Sequence, residues 1–182
     1  MIRTNRYRKI IKTVEIKNND KILDLSCSDG LFLKQLSAIA PGLQLFGVDV
    51  DSAAIEKARK DCPSIIFNTE NAENLNFQDD TFDSVFSMMS LHHYENSQKI
   101  FNEIKRVLKK SGTFFLADLV PKYKWTQKTW NYYGCPEPYH FEKYYSISDI
   151  ETLLKPLNCS IVADKKVSSL PRLRILTINK QG

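Results

Sequence analysis

The sequence predicts one doubly wound α/β domain, in which a mostly parallel sheet carries helices on both faces. Apolar segments of strand length alternate with segments of helical periodicity, and strands joined by helix-length connections pair in parallel through right-handed crossovers. The strands are continuous apolar runs, as expected when both faces of a sheet are covered. The 182 residues fit one domain of ordinary size, so we predict a single domain over 1–182.

The predicted elements follow one another in a regular order. A basic N-terminal helix occupies residues 1–20. The strands cover residues 21–26, 43–50, 64–68, 81–89 and 113–120, and two closing strands cover 159–168 and 173–180, of which we expect the last to be antiparallel. The helices between them cover residues 31–40, 51–62, capped by Asp51 or Ser52, and 97–110, stopped by Gly112. A final helix begins in a capping box of Ser148 and Glu151.

The net charge of +5 lies entirely in the N-terminal segment. Residues 1–21 hold seven lysines and arginines against Glu15 and Asp20, so the rest of the chain is neutral. A nucleic-acid-binding protein more often spreads positive charge over its binding face, so nucleic acid is not the expected partner. The segment is either a solvated helix face or a basic flap that steers an anionic substrate.

The composition indicates a cytoplasmic protein that is not in a membrane. No apolar run approaches the roughly 20 residues that cross a bilayer, and the basic N-terminus lacks the apolar block of a secretory signal. The four cysteines are far apart and form no CxxC pair, which indicates free thiols in a reducing compartment and no metal site.

The segment ILDLSCSDG, residues 22–30, joins the first strand to a helix through a sharp turn. The free N–H groups at a helix start favour anionic or hydrogen-bond-accepting groups. Glycine allows the closest approach of a ligand, and Ser26 and Ser28 are the next smallest choice. Asp24 would repel a pyrophosphate but attract an ammonium group, so we expect a cofactor with an amino-acid tail.

A second carboxylate ends the second strand. Asp49 lies in GVDVD, 19 residues after Gly30, where a carboxylate can accept both hydroxyl groups of a ribose. Asp51 is better explained as a helix cap. The two acidic strand ends together predict a nucleoside-bearing cofactor at the carboxyl edge of the sheet.

Four segments in the same order resemble the class I S-adenosylmethionine-dependent methyltransferases, of the small-molecule, methyltransferase type 11 kind. They are LDLSCSDG for L-D-x-G-x-G-x-G, NAENLNF for D-A-E-x-L-P-F, FDSVFSMMSLHH for the fourth-strand motif, and RVLKKSGTFFLADL. The resemblance implies a Rossmann-like fold, S-adenosylmethionine as cofactor and a methyltransferase activity (EC 2.1.1.-).

The resemblance also assigns residues to the cofactor. Asp24 and the turn from Ser26 to Gly30 would hold its methionine end, Asp49 its ribose, and Asn71 with Ala72 its adenine. The full set implied to bind the cofactor is Asp24, Ser26, Cys27, Ser28, Gly30, Asp49, Val50, Asn71, Ala72 and Met88, where Met88 stands in place of the family's Asn.

Methyl transfer from a sulfonium depends on alignment, and a base is needed only when the acceptor must lose a proton. His92 and His93, at the end of the fourth strand, are the candidates, and His93 is favoured because its family counterpart tends to face the cleft. Alternatively, one packs under the next helix and the other only shapes the pocket.

The stretch 121–146 contains nine of the chain's twenty aromatic residues, which suggests a lid over a substrate pocket. Trp125, Trp130, Tyr133 and His140 could line an apolar or aromatic acceptor, or a cationic amine. Alternatively, the rings only pack this insertion onto the domain.

The first hypothesis is therefore methyl transfer to a small molecule. The alternative is a non-catalytic module that binds S-adenosylmethionine or a nucleoside, suggested by Ser26, Ser28, Asn71 and Met88. Methylation of RNA is a weaker idea, based only on the basic N-terminal helix. A nicotinamide-dependent oxidoreductase is disfavoured, because the glycine fingerprint is missing and Asp24 opposes a pyrophosphate. The oligomeric state is left open.

Overall fold

The computed structural model describes residues 2–40, 42–121, 143–167 and 173–181. Its centre is a seven-stranded sheet. The strands are β1 (Lys21–Leu25), β2 (Gln44–Asp49), β3 (Ile66–Thr69), β4 (Phe82–Met88), β5 (Leu108–Leu119), β6 (Cys159–Lys166) and β7 (Leu173–Lys180). Their order is β3-β2-β1-β4-β5-β7-β6. The first five pair in parallel and β7 runs antiparallel to both neighbours, which confirms the predicted fold class.

Helices cover both faces of this sheet. They are α1 (Ile2–Ile11), α2 (Leu31–Ser37), α3 (Ser52–Asp61), α4 (Ser97–Val107) and α5 (Ile147–Leu154). Buried residues of α1, α2 and α3 belong to one hydrophobic cluster, and those of α4 and α5 to a second. None of the helices in the described part of the chain has the length and apolar character needed to span a membrane.

Strand β1 separates the two clusters. Ile22 packs with the first cluster and Leu23 with the second, and both side chains are fully buried. Successive side chains of a strand point to opposite faces, so a continuous apolar run is what a doubly covered strand requires. The same alternation puts Asp24 on the face covered by α1 and α2, next in line after Ile22.

The starts of two helices test the capping predictions. Asp51 caps α3 as predicted, since its Oδ1 accepts hydrogen bonds from the backbone N–H groups of Ala53 and Ala54. The box predicted at Ser148 and Glu151 is wrong, because Ser146 and Asp149 form it instead. Both pairs have the required spacing, and the earlier start lets α5 bury Ile150 and Leu154.

The boundary between α4 and β5 also differs from the prediction. The helix ends at Val107, three residues before the predicted end, and Leu108 already pairs with Phe82 of β4. Gly112 lies inside β5 and does not end the helix. A Cβ there would meet the Leu108 side chain at 2.8 Å and the Asp83 carbonyl oxygen at 3.1 Å, so this glycine permits close packing.

Candidate functional site

A cleft of about 560 Å³ opens at the carboxyl edge of the sheet. The carboxyl ends of parallel strands meet at one edge, and β1, β2 and β4 are neighbours there. The residues that line the cleft are Ser26, Ser28, Val48, Asp49, Val50, Asp51, Glu70, Asn71, Ala72, Glu73, Ser90, His93, Tyr94, Glu95 and Ile100. Seven of the residues singled out from the sequence are therefore brought together, namely Ser26, Ser28, Asp49, Val50, Asn71, Ala72 and His93.

The turn after β1 follows a path suited to glycine although it contains only one. Ser26 and Ser28 have φ angles of 56° and 51°, and Gly30, which starts α2, has a φ of 71°. L-residues adopt this left-handed region at a cost of roughly 1–2 kcal/mol each. The serines thus keep the backbone course expected of a cofactor turn, and they add two side-chain hydroxyl groups to it.

Asp49 is held at the floor of the cleft by backbone donors. Its Oδ2 accepts a hydrogen bond from the N–H of Ser28 at 2.8 Å, and its Oδ1 accepts one from the N–H of Asp51 at 3.0 Å. Both carboxylate oxygens retain acceptor capacity, so the group can also accept hydroxyl donors of a ligand. The neighbouring Val50 side chain is 69% exposed and offers an apolar surface beside the carboxylate.

Asp24 lies behind the cleft wall and is 1% exposed. Its Oδ1 has no hydrogen-bond partner, which is costly for a buried carboxyl group. Burial, and secondly the charge of Asp49, raise the pKa of Asp24 well above its ordinary value of 3.8. A buried acid in this state needs a cation or a donor, as the ammonium predicted from the sequence would supply.

The two residues predicted to meet the adenine also line the cleft. Ala72 is buried and lines it, and the exposed Asn71 lies beside it. The Oδ1 of Asn71 already accepts a hydrogen bond from the N–H of Glu73 at 2.9 Å, which fixes the direction of the side chain. The remaining lone pair of this oxygen is the acceptor available to a ligand.

Several predicted cofactor residues support the cleft without lining it. Cys27 and Met88 are buried in the hydrophobic cluster beneath α2, and burial raises the pKa of the Cys27 thiol. Gly30 is also buried, and a Cβ there would meet the Phe67 ring at 2.6 Å. These three residues shape the turn from behind.

The two histidines have different surroundings. His93 is half-buried and lines the cleft, whereas His92 is 4% exposed. The Nδ1–H of His92 donates to Asp118 Oδ1 at 2.7 Å, and Asp118 also accepts hydrogen bonds from the N–H groups of Leu91 and Leu119. The hydrogen bond to Asp118 fixes the His92 ring. The His93 ring packs against it, with 4.0 Å between the two ring centroids.

Residues 23–116, just over half of the chain, match the sequence family described as "Methyltransferase domain". The chain belongs to this methyltransferase family. Its fold and motifs are those of the class I S-adenosylmethionine-dependent methyltransferases, whose cofactor is S-adenosylmethionine. The resemblance seen in the sequence is thereby confirmed.

Three comparisons show the range of its relatives. Demethylmenaquinone methyltransferase of Thermotoga maritima is 27% identical over 69% of this chain and 56% of its own length. Malonyl-[acyl-carrier protein] O-methyltransferase of Legionella pneumophila is 26% identical over 89% and 60%. The crystal structure of the PH0226 protein of Pyrococcus horikoshii superimposes with a TM-score of 0.78 at 26% identity, over 99% of this chain and 90% of that one. The methyltransferase chain spans about half the length of the curated relatives it matches.

The cleft of this methyltransferase suits a positively charged cofactor. Its lining includes five carboxylate residues, Asp49, Asp51, Glu70, Glu73 and Glu95, and no lysine or arginine is among the lining residues described. The Nζ of Lys99, which is not a lining residue, lies 3.5 Å from Oε2 of Glu73. A sulfonium with an ammonium group is favoured in such a field, whereas a pyrophosphate is not.

Several lining residues were not predicted from the sequence. Glu70 and Glu73 follow β3, and Ser90, Tyr94 and Glu95 follow β4. Asp118 was also missed, although it lies in the last residues of β5. In the sequence, these residues share one property: each is a polar residue at or after the carboxyl end of a parallel strand. The predicted pocket residues Trp125, Trp130, Tyr133 and His140 lie outside the described residues.

The N-terminal helix α1 contacts the turn after β1 and the start of α2. Arg3 Nη2 pairs with Asp29 Oδ1 at 2.8 Å, and the ring of Tyr7 meets that of Phe32 edge-on, 5.6 Å between centroids. Burial and then the charge of Asp24 raise the pKa of the Tyr7 phenol. Part of the basic segment therefore covers the cofactor turn, which is more than the solvated helix face considered from the sequence.

Proposed function

We propose that this chain transfers a methyl group from S-adenosylmethionine to a small-molecule acceptor. The observation that carries the proposal is the pair of acidic strand ends. Asp49 faces the cleft in a cradle of backbone N–H groups, and Asp24 is buried behind the adjoining turn with an unpartnered oxygen. A ribose and an ammonium group, joined in one cofactor, satisfy both.

In this proposal each part of the cofactor has a partner. The Asp49 carboxylate accepts the ribose hydroxyls, and Asp24 pairs with the ammonium of the methionine end. Val50 offers apolar surface to the nucleoside, while Asn71 Oδ1 and the backbone N–H of Ala72 meet polar groups of the adenine. When bound, S-adenosylmethionine supplies an electrophilic methyl group on a sulfonium.

We place the acceptor beside His93, Ser90 and Glu95, which follow β4 and line the cleft. We assign His93 as the base that takes a proton from the acceptor at an imidazole nitrogen, when the acceptor has one to lose. His92, fixed by Asp118, acts as a positioning residue for the His93 ring. Trp125, Trp130, Tyr133 and His140 are assigned to the acceptor side of the same site.

The negative charge of the cleft lining favours some chemical classes of acceptor over others. A carboxylate or phosphate beside the reacting atom would lie near Glu95 and would be repelled. A neutral hydroxyl or an amine would not. The names of the relatives cover several acceptors: demethylmenaquinone, phthiotriol dimycocerosates and malonyl-[acyl-carrier protein]. The last carries a carboxylate, the type of acceptor that this lining disfavours.

The proposal is tested by incubating the purified protein with S-adenosylmethionine and a panel of hydroxyl, amine and carboxylate acceptors, and measuring S-adenosylhomocysteine. We expect product with at least one neutral or amine acceptor. His93→Ala should lower kcat about 100-fold or more for a hydroxyl acceptor while leaving cofactor affinity unchanged. Turnover confined to carboxylates, or full activity of His93→Ala, would contradict the respective assignment.

A further inference from the structure

Four hydroxyl groups form a connected network at one end of the cleft. The phenol of Tyr94 donates to Ser90 Oγ at 3.0 Å, and Ser90 Oγ lies 2.8 Å from Ser87 Oγ. Tyr94 Oη is also 2.9 Å from Ser26 Oγ. Because a phenol has one proton, Ser26 is then the donor to Tyr94. The Ser26–Tyr94 hydrogen bond thus links the first turn to the segment before α4, across the cleft wall.

Asp24 lies on the far side of this link. Ser26, Ser90 and Tyr94 line the cleft, but Asp24, two residues before Ser26, does not line it and is 1% exposed. The carboxyl of Asp24 is buried with an unpartnered Oδ1, and it lies two residues before Ser26, whose hydroxyl bonds to Tyr94 at the cleft surface. The Ser26–Tyr94 pair is therefore the part of the cleft lining next to Asp24 along the first turn.

We propose that the Ser26–Tyr94 hydrogen bond closes the methionine end of the cofactor site and so decides which part of the cofactor this cleft admits. With the bond in place, the cleft accommodates the nucleoside. The amino-acid tail reaches Asp24 only when Tyr94 swings away from Ser26. This inference rests on the proposed function, since it takes Asp24 as the partner of the ammonium.

Tyr94 lies in a short connection outside the long helices and the strands, where its side chain can move. Tyr94 lies between a short 3₁₀ turn (Leu91–His93) and α4, and its backbone N–H makes one long hydrogen bond, 3.3 Å to the carbonyl of Leu91. Glycine would adopt the left-handed φ of residue 26 at lower cost, so a hydroxyl is what serine adds there. That hydroxyl supplies the donor of the closing bond.

The test compares two ligands that differ only in the amino-acid end. S-adenosylhomocysteine carries the tail, and 5′-methylthioadenosine ends in a methyl group. Calorimetric affinities for both are measured on the unaltered protein, Tyr94→Phe, Ser26→Gly and the double variant. Tyr145→Phe is the matched control, because Tyr145 makes a buried hydroxyl pair with Ser97, at 2.7 Å, outside the cleft lining.

We expect Tyr94→Phe and Ser26→Gly each to tighten S-adenosylhomocysteine binding about fivefold, the size of one net hydrogen bond, without changing 5′-methylthioadenosine affinity. The double variant should gain no more than Tyr94→Phe alone, because both single variants remove the Ser26–Tyr94 bond and only Tyr94→Phe also removes the Tyr94–Ser90 bond. Tyr145→Phe should leave both affinities unchanged. Melting temperatures establish that each variant is folded.

Weaker S-adenosylhomocysteine binding by the two single variants would overturn the inference, because the pair would then belong to the cofactor's own contacts. Equal changes for both ligands would overturn it as well, while leaving the nucleoside site and the proposed function intact. Failure of the unaltered protein to bind either ligand would instead overturn the proposed function, and the inference with it.

Discussion

The backbone N–H of Ser28 donates to the carboxylate of Asp49 at 2.8 Å, so the end of β2 is tied directly to the turn after β1. The second oxygen of Asp49 accepts a hydrogen bond from Asp51, the residue that caps α3. One carboxylate therefore orders both the turn and the start of a helix. It also presents its remaining lone pairs to the cleft, where we propose that they accept the ribose hydroxyls.

Replacing this anchor should remove cofactor binding. We expect Asp49→Ala to weaken S-adenosylmethionine binding about 100-fold or more, because two hydrogen bonds to a charged acceptor are lost. Isothermal titration calorimetry measures the effect. Asp61→Ala, an exposed aspartate on α3 paired only with Lys57, is the control and should bind as the unaltered protein does. Equal affinities of the two variants would show that the ribose lies elsewhere.

The Asp24 carboxyl should lower the free energy of unfolding when no cofactor is bound. Its pKa is higher in the folded protein than its ordinary 3.8, so the folded state holds the proton more tightly than the unfolded state does. Stability is therefore lost as the pH rises from about 4 towards the folded pKa. Asp24→Asn should raise the free energy of unfolding at pH 7 by about 1–2 kcal/mol and weaken S-adenosylmethionine binding.

Urea unfolding at several pH values between 4 and 8 tests this prediction. Asp61→Asn is the matched control, because Lys57 lowers the pKa of Asp61 and places its titration below this range. The control should keep the pH dependence of the unaltered protein, and Asp24→Asn should flatten it. An Asp24→Asn protein that is less stable throughout would mean that the carboxyl has a donor in the folded state.

The turn after β1 should respond in opposite directions to two small substitutions. Gly30→Ala places a Cβ 2.6 Å from the Phe67 ring at a φ of 71°, and should lower the free energy of unfolding by about 2–3 kcal/mol. Ser28→Gly relieves a left-handed serine and should raise it by up to about 1 kcal/mol. Denaturant unfolding measures both, and a stabilising Gly30→Ala would contradict the described turn.

The order of elements was predictable because most of the parallel strands contain a continuous apolar run and helix-length segments separate them. The exact ends were not, because competing signals overlap. Ser146 and Ser148 both have the spacing of a capping box, and in the structure Ser146 and Asp149 form its two hydrogen bonds. Likewise Leu108 continues the helical pattern, but pairing with Phe82 draws it into β5.

Part of the cleft lining was predictable, because Ser26, Ser28 and Asp49 lie at strand ends within recognisable motifs. Tyr94 and Asp118 were not found, because their roles depend on contacts across the sheet edge. Asp118 meets His92 across 26 residues, and Tyr94 meets Ser26 across 68. Neither distance along the chain leaves a local pattern.

Asp118 should contribute strongly to stability. It is 2% exposed and accepts hydrogen bonds from His92, Leu91 and Leu119, so Asp118→Ala removes an acceptor that three donors share. We expect a loss of about 3 kcal/mol in the free energy of unfolding. Asp164→Ala, which breaks a partly exposed pair with Arg174, should cost about 1 kcal/mol or less. Similar losses for the two variants in urea unfolding would contradict the buried pair.

The most direct measurement is a calorimetric titration of the unaltered protein with S-adenosylmethionine, S-adenosylhomocysteine and NAD in parallel. Acidic residues at the ends of β1 and β2 predict saturable binding of the first two and none of the third, since Asp24, beside the first turn, opposes the pyrophosphate of NAD. Binding of NAD, or no binding of either sulfur-containing nucleoside, would contradict the account.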